Sequence, residues 1–158
     1  MVEEVITVYT DGSCNTMTKT GGWASILLIG GKKIVIKGAE KNTTNQRMEL
    51  TAVLKALEYV EANHGLTCPV HICADSQYVI DIEKRMPRLQ QNNYVTKKGA
   101  PSRNGDLLRE LIAYLQRMPL TFTKVISHQK KDQNENLNRE ADKLARSIVR
   151  ENSKEWKD

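Results

Sequence analysis

The Gly30-Gly31 pair is the sequence feature that most limits how the start of this chain folds. Two apolar runs, Trp23 to Ile29 and Lys32 to Lys37, flank the pair. Because glycine accepts the positive φ angles of a two-residue turn, this pattern predicts a tight β-hairpin. An earlier run, Val5 to Thr10, is rich in β-branched and aromatic residues and predicts a strand before the hairpin. The start of the chain therefore predicts a three-stranded antiparallel meander.

The rest of the chain alternates helices with two further strands. Apolar residues at helical spacing predict a first helix that opens at a capping box, Thr43 with Gln46, and closes at Gly65. Two more strands are predicted at Pro69 to Ala74 and Leu120 to Ser127. The other helices are predicted at Ser76 to about Met86, Asp106 to Met118, and Asn138 to about Arg150. We expect an α/β fold whose five-stranded mixed sheet joins the meander to two parallel strands, with helices on both faces.

The size and charge of the chain indicate one domain with an anionic partner. A length of 158 residues with 39% hydrophobic content predicts a single domain over residues 1–158, with a frayed tail from about residue 151. Its net charge of +5 favours nucleic acid or another polyanion. From Lys84 to Gly105, a range called here the basic segment, there are six basic residues and no acid. Such a segment suits a phosphate backbone, although a solvated charged loop is the common alternative.

The chain carries no sign of secretion or membrane insertion. No apolar run approaches the roughly 20 residues of a membrane span, and the start of the chain lacks the layout of a signal peptide. The cysteines Cys14, Cys68 and Cys73 have neither disulfide-framework nor zinc-site spacing, so we expect reduced thiols. We predict a soluble, cytoplasmic protein that is monomeric and needs no membrane or obligate protein partner.

Four acidic residues stand at unusual places in this pattern. Asp11 and Asp75 each directly follow a predicted strand, and Glu49 and Asp142 share a helix face with apolar residues. Taken singly, each is explained as a turn former or an acid at a helix start. Parallel strands end at the same edge of a sheet, where open α/β sheets bind ligands. No basic residue is predicted beside these acids on the same apolar stripes. The occurrence of four acids at such positions therefore favours a single cluster of carboxylates.

Converged carboxylates predict a metal site. They repel one another and raise one another's pKa unless a cation is bound. Hard oxygen ligands suit Mg²⁺, with Mn²⁺ as a substitute. Two such ions about 3.5 to 4 Å apart activate a water and hold the leaving oxygen of an in-line phosphoryl displacement. The sequence thus predicts a metal-dependent nuclease.

Several blocks of sequence resemble the type 1 ribonuclease H family. These are "YTDGSC", "TTNQRMEL", "DSQYV", and "SH" followed by "NREADKLA", in the family's order from about Val5 to Ile148. The resemblance implies a ribonuclease H-like fold and an endonuclease that hydrolyses the RNA strand of RNA/DNA hybrids. It implies two Mg²⁺ ions per site, with products that carry 5′-phosphate and 3′-hydroxyl ends.

The same resemblance assigns roles to individual residues. The implied metal-binding and catalytic carboxylates are Asp11, Glu49, Asp75 and Asp142. His128 is implied as a mobile histidine that assists proton transfer or product release. The residues implied along the hybrid are Cys14, Thr44, Asn45, Gln46 and Gln77, with Lys97 and Lys98 in a basic segment that resembles the basic protrusion of bacterial enzymes. Amides in a wide minor groove test for the 2′-hydroxyl without reading sequence, so low sequence specificity is expected.

Other functions are compatible with parts of the pattern. A non-catalytic module that binds hybrids or double-stranded RNA would keep the fold, but it would be expected to lack a carboxylate. A recombination nuclease or transposase core shares the sheet type, and the blocks "TTNQRMEL" and "DSQYV" argue against it. A detached reverse-transcriptase-type ribonuclease H domain stays open as an alternative with the same chemistry.

Overall fold

The computed structural model describes residues 5–125 and 133–155, which form a five-stranded sheet with helices. The strands are β1 (Ile6–Asn15), β2 (Thr20–Ile29), β3 (Lys32–Glu40), β4 (Val70–Ala74) and β5 (Leu120–Lys124). The helices are α1 (Asn45–His64), α2 (Gln77–Ile80), α3 (Ile82–Gln91), α4 (Gly105–Arg117) and α5 (Gln133–Glu155). The strand order is β3-β2-β1-β4-β5. The first three strands pair antiparallel, whereas β4 pairs parallel with both β1 and β5. The predicted mixed sheet is confirmed.

The hairpin between β2 and β3 forms at the predicted glycine pair. Gly30 has a φ of 56° and Gly31 a φ of 79°. Positive φ at both central residues is the requirement of a two-residue turn that matches the twist of the strands. The strands are longer than predicted, since β2 begins at Thr20 and β3 ends at Glu40.

The first strand does not stop before Asp11, and that part of the prediction is wrong. β1 continues to Asn15 because it stays paired with β2, from Asp11 opposite Ala24 onward. The turn follows Asn15, whose Oδ1 accepts hydrogen bonds from the backbone N–H groups of Met17 at 2.9 Å and Thr18 at 3.1 Å. On its other side, β1 pairs with β4 only as far as Thr10. Asp11 therefore lies where the parallel half of the sheet ends.

Helices pack on both faces of the sheet. On one face, α1 buries residues such as Leu50 and Val53 against Val8 of β1. On the other face, Ala141 of α5 packs in a cluster with Tyr9 and other sheet residues. Among the helices of the described ranges, none is long and apolar enough to cross a membrane.

The start of α1 differs by one residue from the predicted capping box. Thr44 caps the helix, because its Oγ1 accepts a hydrogen bond from the backbone N–H of Arg47 at 3.2 Å. The Thr43–Gln46 box is therefore wrong, and Thr43 is buried with its Oγ1 lacking a partner. The predicted end is confirmed, since Gly65 has a φ of 77° and donates its N–H to the carbonyl of Glu61.

The later helices differ from prediction in length. The helix predicted after Asp75 is divided at Asp81 into α2 and α3, and α3 extends into the basic segment. The last helix, α5, continues to Glu155, beyond the predicted end at about Arg150. The predicted end of the last strand, at Ser127, lies outside the described residues.

Candidate active site

Three of the four predicted acids meet at one place. Asp11, Glu49 and Asp75 each offer a carboxylate oxygen, and these oxygens lie within 4.8 Å of one another. Asp11 is buried, with only 6% of its surface exposed, and the other two are half-buried. They come from β1, from the second turn of α1 and from the residue directly after β4, which are distant in the chain. The cluster therefore forms only when the chain folds and these three segments meet.

Asp142 on α5 adds a fourth carboxylate. Its side chain is near enough to Asp11 to raise the pKa of that carboxyl, and its charge also raises the pKa of Asp75. Arg146, one helical turn later, places its Nε 3.2 Å from Asp142 Oδ1. The expectation that no basic residue shares these stripes is therefore wrong, and the i,i+4 spacing of Asp142 and Arg146 was a signal that could have shown it.

Gly12 lets the strand that carries Asp11 pack closely against the helix that carries Glu49. A Cβ atom at this position would lie 2.4 Å from both the Glu49 nitrogen and the Met48 carbonyl carbon. Only a glycine lets β1 approach the backbone of α1 this closely. From the sequence alone, Gly12 looked like a turn residue beside Asp11, and its role in packing was missed.

Ser76 links the Asp75 segment to Glu49. Its Oγ donates a hydrogen bond to Glu49 Oε2 at 2.7 Å. Ser76 Oγ also accepts a hydrogen bond from the backbone N–H of Val79 at 3.4 Å, and it thereby caps α2. Ser76 was read from the sequence only as the start of a helix, because its second contact depends on the fold.

The electrostatics of the cluster favour a bound cation. Burial, together with the charges of Asp75 and Asp142, raises the pKa of Asp11 to about 9. Burial raises the pKa of Glu49, against the hydrogen bond from Ser76. Burial and the Asp142 charge raise the pKa of Asp75, while Lys124 lowers it. Four carboxylates in such a site are the donor set of a hard divalent ion, so these residues fit Mg²⁺ or Mn²⁺.

Four of the residues predicted along the substrate line one cavity of about 440 Å³. The cavity is lined by Cys14, Thr44, Asn45 and Gln46, together with Thr16, Lys19, Thr43, Arg103 and Asn104. The two cations, Lys19 and Arg103, were not singled out from the sequence as lining residues. Cys14 Sγ lies 3.3 Å from the Thr43 carbonyl oxygen, to which it donates. The cavity thus combines positive charge with hydroxyl and amide groups.

Comparison with known proteins agrees with this geometry. The RNase H family model matches residues 3–150. The Ribonuclease H of Moorella thermoacetica is 37% identical over 146 residues, which cover 91% of each chain. The chain belongs to the RNase H family. It is therefore a hydrolase of the ribonuclease H type.

Solved structures share the RNase H fold of this chain. LC9-RNase H1, described as a type 1 RNase H with the type 2 active-site motif, has a TM-score of 0.76 at 24% identity, over 94% of this chain and 74% of that one. The foamy viral protease-reverse transcriptase in complex with an RNA/DNA hybrid has a TM-score of 0.73 at 17% identity, over 93% of this chain and 20% of that one.

Asn104 is a further residue of this RNase H that the sequence did not reveal. It is buried in a left-handed conformation with a φ of 59°. Its Nδ2 donates to Tyr78 Oη at 3.0 Å and to Gln46 Oε1 at 3.3 Å. Asn104 therefore fixes which end of the Gln46 amide is free to face the cavity.

Three other predicted substrate residues, Lys97, Lys98 and Gln77, do not line this cavity. Lys97 and Lys98 are exposed in a turn that is closed by a 2.9 Å hydrogen bond from the Gly99 N–H to the Thr96 carbonyl. Gln77, at the start of α2, bonds to Lys124 and Asp81. His128 lies outside the described residues.

The basic segment of this RNase H is folded rather than an open loop. Val95 forms a β-bridge with Pro101, and the Tyr94 ring lies 4.4 Å below the guanidinium of Arg109. Arg85 is not available as a free cation, since it stacks 4.0 Å from the centre of the Tyr78 ring. The exposed lysines Lys97 and Lys98 therefore belong to a folded segment.

Removing the Ser76 hydroxyl should weaken the site more than the fold. Ser76→Ala takes away both the cap of α2 and the hydrogen bond to Glu49, so we expect a loss of about 1 kcal/mol in the free energy of unfolding. Loss of a group that orients a metal ligand typically costs about 10- to 100-fold in metal affinity or activity. Urea unfolding and Mg²⁺ titration measure the two effects. Ser76→Thr, which keeps the hydroxyl, is the control; equal Mg²⁺ affinity in Ser76→Ala and the parent would contradict the link to Glu49.

The raised pKa of Asp11 predicts how the stability of metal-free protein depends on pH. Between the ordinary value of 3.8 and about 9, the folded state holds a proton on Asp11 that the unfolded state has lost. The free energy of unfolding must then fall as the pH rises through this window. Urea unfolding in EDTA at several pH values tests this, with Asp11→Asn as the comparison. Parallel pH profiles for the parent and Asp11→Asn would contradict the shifted pKa.

Proposed function

We propose that this protein is an endonuclease that hydrolyses the RNA strand of RNA/DNA hybrids with two Mg²⁺ ions, leaving 5′-phosphate and 3′-hydroxyl ends. The observation that carries the proposal is the convergence of carboxylate oxygens of Asp11, Glu49 and Asp75 within 4.8 Å of one another, with Asp142 near enough to act on Asp11. Membership of the RNase H family supports hydrolysis as the reaction.

Each acid has a distinct position in the proposed site. Asp11 is the most buried of the four, and it would hold the ions together with Glu49, Asp75 and Asp142. When bound, divalent ions supply an activated water and stabilise the charge on the reacting phosphate. Ser76 orients Glu49 through the 2.7 Å hydrogen bond. His128 is proposed, from the family resemblance alone, to assist proton transfer or product release.

The cavity beside the acids is proposed to bind the hybrid. Lys19 and Arg103 supply positive charge for a backbone phosphate, and Thr44 supplies a hydroxyl. Gln46 accepts from Asn104 through Oε1, which leaves its Nε2 donors for groove acceptors and 2′-hydroxyl oxygens. A hybrid complex is known for the foamy viral protease-reverse transcriptase, which shares the fold. This arrangement supports recognition of the hybrid without base sequence.

The proposal also covers the domain organisation, the location and the oligomeric state of the protein. We propose that residues 1–158 act as one catalytic domain, as a cytoplasmic monomer without an obligate protein partner. Mn²⁺ is proposed to replace Mg²⁺, since both are hard ions that accept carboxylate oxygens.

Strand-resolved cleavage tests the proposed function. An RNA/DNA hybrid labelled on each strand, a DNA duplex and an RNA duplex are incubated with and without Mg²⁺. The expected result is Mg²⁺-dependent cutting of the RNA strand of the hybrid only, with 5′-phosphate products. Binding without turnover in either Mg²⁺ or Mn²⁺ would support the non-catalytic alternative, and equal cutting of all three substrates would exclude a hybrid-specific enzyme.

Removing charge from the basic segment should weaken binding without changing chemistry. Lys97 and Lys98 are exposed and lie outside the acid cluster, so Lys97→Gln with Lys98→Gln should lower hybrid affinity. Two lost phosphate contacts would reduce the slope of log affinity against log salt by about 1.8. Single-turnover cleavage at saturating enzyme should keep its rate. An unchanged affinity at low salt would remove these lysines from the binding surface.

A further inference from the structure

Lys124 lies at the end of the sheet where the acids meet. It is the last residue of β5 and pairs in register with Ala74, the residue directly before Asp75. Its side chain is exposed. The family resemblance assigned no role to this position, and the sequence pattern showed only a lysine near a strand end.

The Lys124 ammonium is held in place by a neutral group. Its Nζ donates a hydrogen bond to Gln77 Oε1 at 2.9 Å. Gln77 is itself fixed, because its Nε2 donates to Asp81 Oδ1 at 2.8 Å. An ammonium has three N–H donors. The bond to Gln77 uses one donor and neutralises none of the charge, and the other two donors have no hydrogen-bond partner among the residues that the structure describes.

The charge of Lys124 acts on the acid cluster. Its positive field lowers the pKa of Asp75, against the effects of burial and of Asp142. A cluster of carboxylates repels the phosphates of an approaching nucleic acid strand, and a cation at its rim reduces that repulsion. Lysine is well suited to binding a phosphate as a compact point charge. Position, free donors and charge all point to an anionic ligand at this rim.

We propose that Lys124 is a further substrate-binding residue, whose ammonium, held by Gln77, binds a backbone phosphate of the strand that enters the acid cluster. This inference rests on the proposed function, because the phosphate belongs to the RNA/DNA hybrid. It assigns β5 a direct part in binding, in addition to α1, α2 and the basic segment.

The salt dependence of hybrid binding tests this role. Affinity is measured by fluorescence anisotropy with a labelled RNA/DNA hybrid in Mg²⁺, in an Asp11→Asn background in which we expect binding without cutting. Lys124→Gln removes the charge and keeps a polar side chain, and Lys124→Arg keeps the charge. Lys32→Gln is the matched control, since Lys32 pairs with Ile29 beside the hairpin turn, at the opposite end of the sheet.

The expected result is a loss of affinity in Lys124→Gln that is largest at low salt. One lost phosphate contact reduces the slope by about 0.9, so the ratio of parent to variant affinity should shrink about threefold between about 50 and about 200 mM salt. Lys124→Arg should restore most of the affinity and the slope. Lys32→Gln should match the parent.

Other outcomes would overturn the inference. A Lys124→Gln slope equal to that of the parent would mean that Lys124 only positions Gln77 or has no part in binding. If Lys32→Gln changed the slope of log affinity against log salt by the same amount, the effect of Lys124→Gln would reflect only the net charge of the protein. If the parent binds the hybrid normally, these results overturn the Lys124 assignment alone. If the parent does not bind the hybrid, the proposed function fails with it.

Discussion

Asp11→Asn is expected to lower the rate of hybrid cleavage by about a thousandfold or more. The loss follows because a carboxylate oxygen of Asp11 lies within 4.8 Å of those of Glu49 and Asp75, and Asp142 is near enough to act on Asp11. An amide is a poor ligand for a divalent ion, and the charge stabilisation that such ions give is worth several kcal/mol, where about 4 kcal/mol corresponds to a thousandfold. Single-turnover cleavage in saturating Mg²⁺ measures the change. Near-normal turnover in Asp11→Asn would show that the site is assigned wrongly.

The same substitution should leave the fold intact. Asparagine has nearly the shape of the protonated aspartate that the metal-free fold holds near neutral pH, and it needs no proton taken up on folding, so the free-energy cost of keeping this side chain neutral is removed. We expect the free energy of unfolding in EDTA near neutral pH to be unchanged or higher than that of the parent. Urea unfolding measures it, and circular dichroism gives the folded baseline. A large loss of stability would mean that the lost activity reflects unfolding rather than a missing ligand.

Gly12→Ala is expected to have the second largest effect, on both stability and cleavage. The added Cβ would lie 2.4 Å from backbone atoms of Met48 and Glu49, which cannot move without shifting the start of α1. Forcing an extra carbon into a packed region typically costs about 1 to 3 kcal/mol, and more where the backbone must shift. Because Glu49 would move with α1, cleavage should fall in the fraction that still folds. Urea unfolding and a cleavage assay normalised to folded protein measure the two effects.

Gly105→Ala is the matched control for this substitution. Gly105 starts α4, and the nearest atoms to an added Cβ lie at 3.7 to 3.9 Å, an ordinary contact distance. Alanine is favoured over glycine in a helix by about 1 kcal/mol. Gly105→Ala should therefore be neutral or slightly stabilising. If Gly12→Ala were as stable and active as Gly105→Ala, close approach of β1 to α1 would not be what positions Glu49.

The sequence predicted those features of the fold that depend on local chemistry. The glycine pair at Gly30-Gly31 predicted the hairpin, and apolar residues at helical spacing predicted α1, since turn geometry and helical periodicity act over a few residues. The end of β1 was misplaced for the opposite reason. Asp11, Gly12 and Ser13 have the local chemistry of a turn, but pairing with β2 keeps them extended.

In the candidate site too, residues with a local sequence signal could be predicted, and residues that act through distant contacts could not. The four acids could be found because each breaks a local pattern at a strand end or on an apolar helix face. Ser76, Asn104 and Lys124 could not, because each acts through a residue that is distant in sequence or on another element. Arg146 is a different case, since its i,i+4 spacing from Asp142 is visible in the sequence.

Anomalous diffraction from crystals of the protein grown with an RNA/DNA hybrid and Mn²⁺ is the most direct test of the proposed metal site. The expected result is two Mn²⁺ peaks about 3.5 to 4 Å apart, with Asp11 between them and the RNA strand beside them. Density for the hybrid with no Mn²⁺ peak at Asp11, Glu49 and Asp75 would contradict metal-ion catalysis at this cluster.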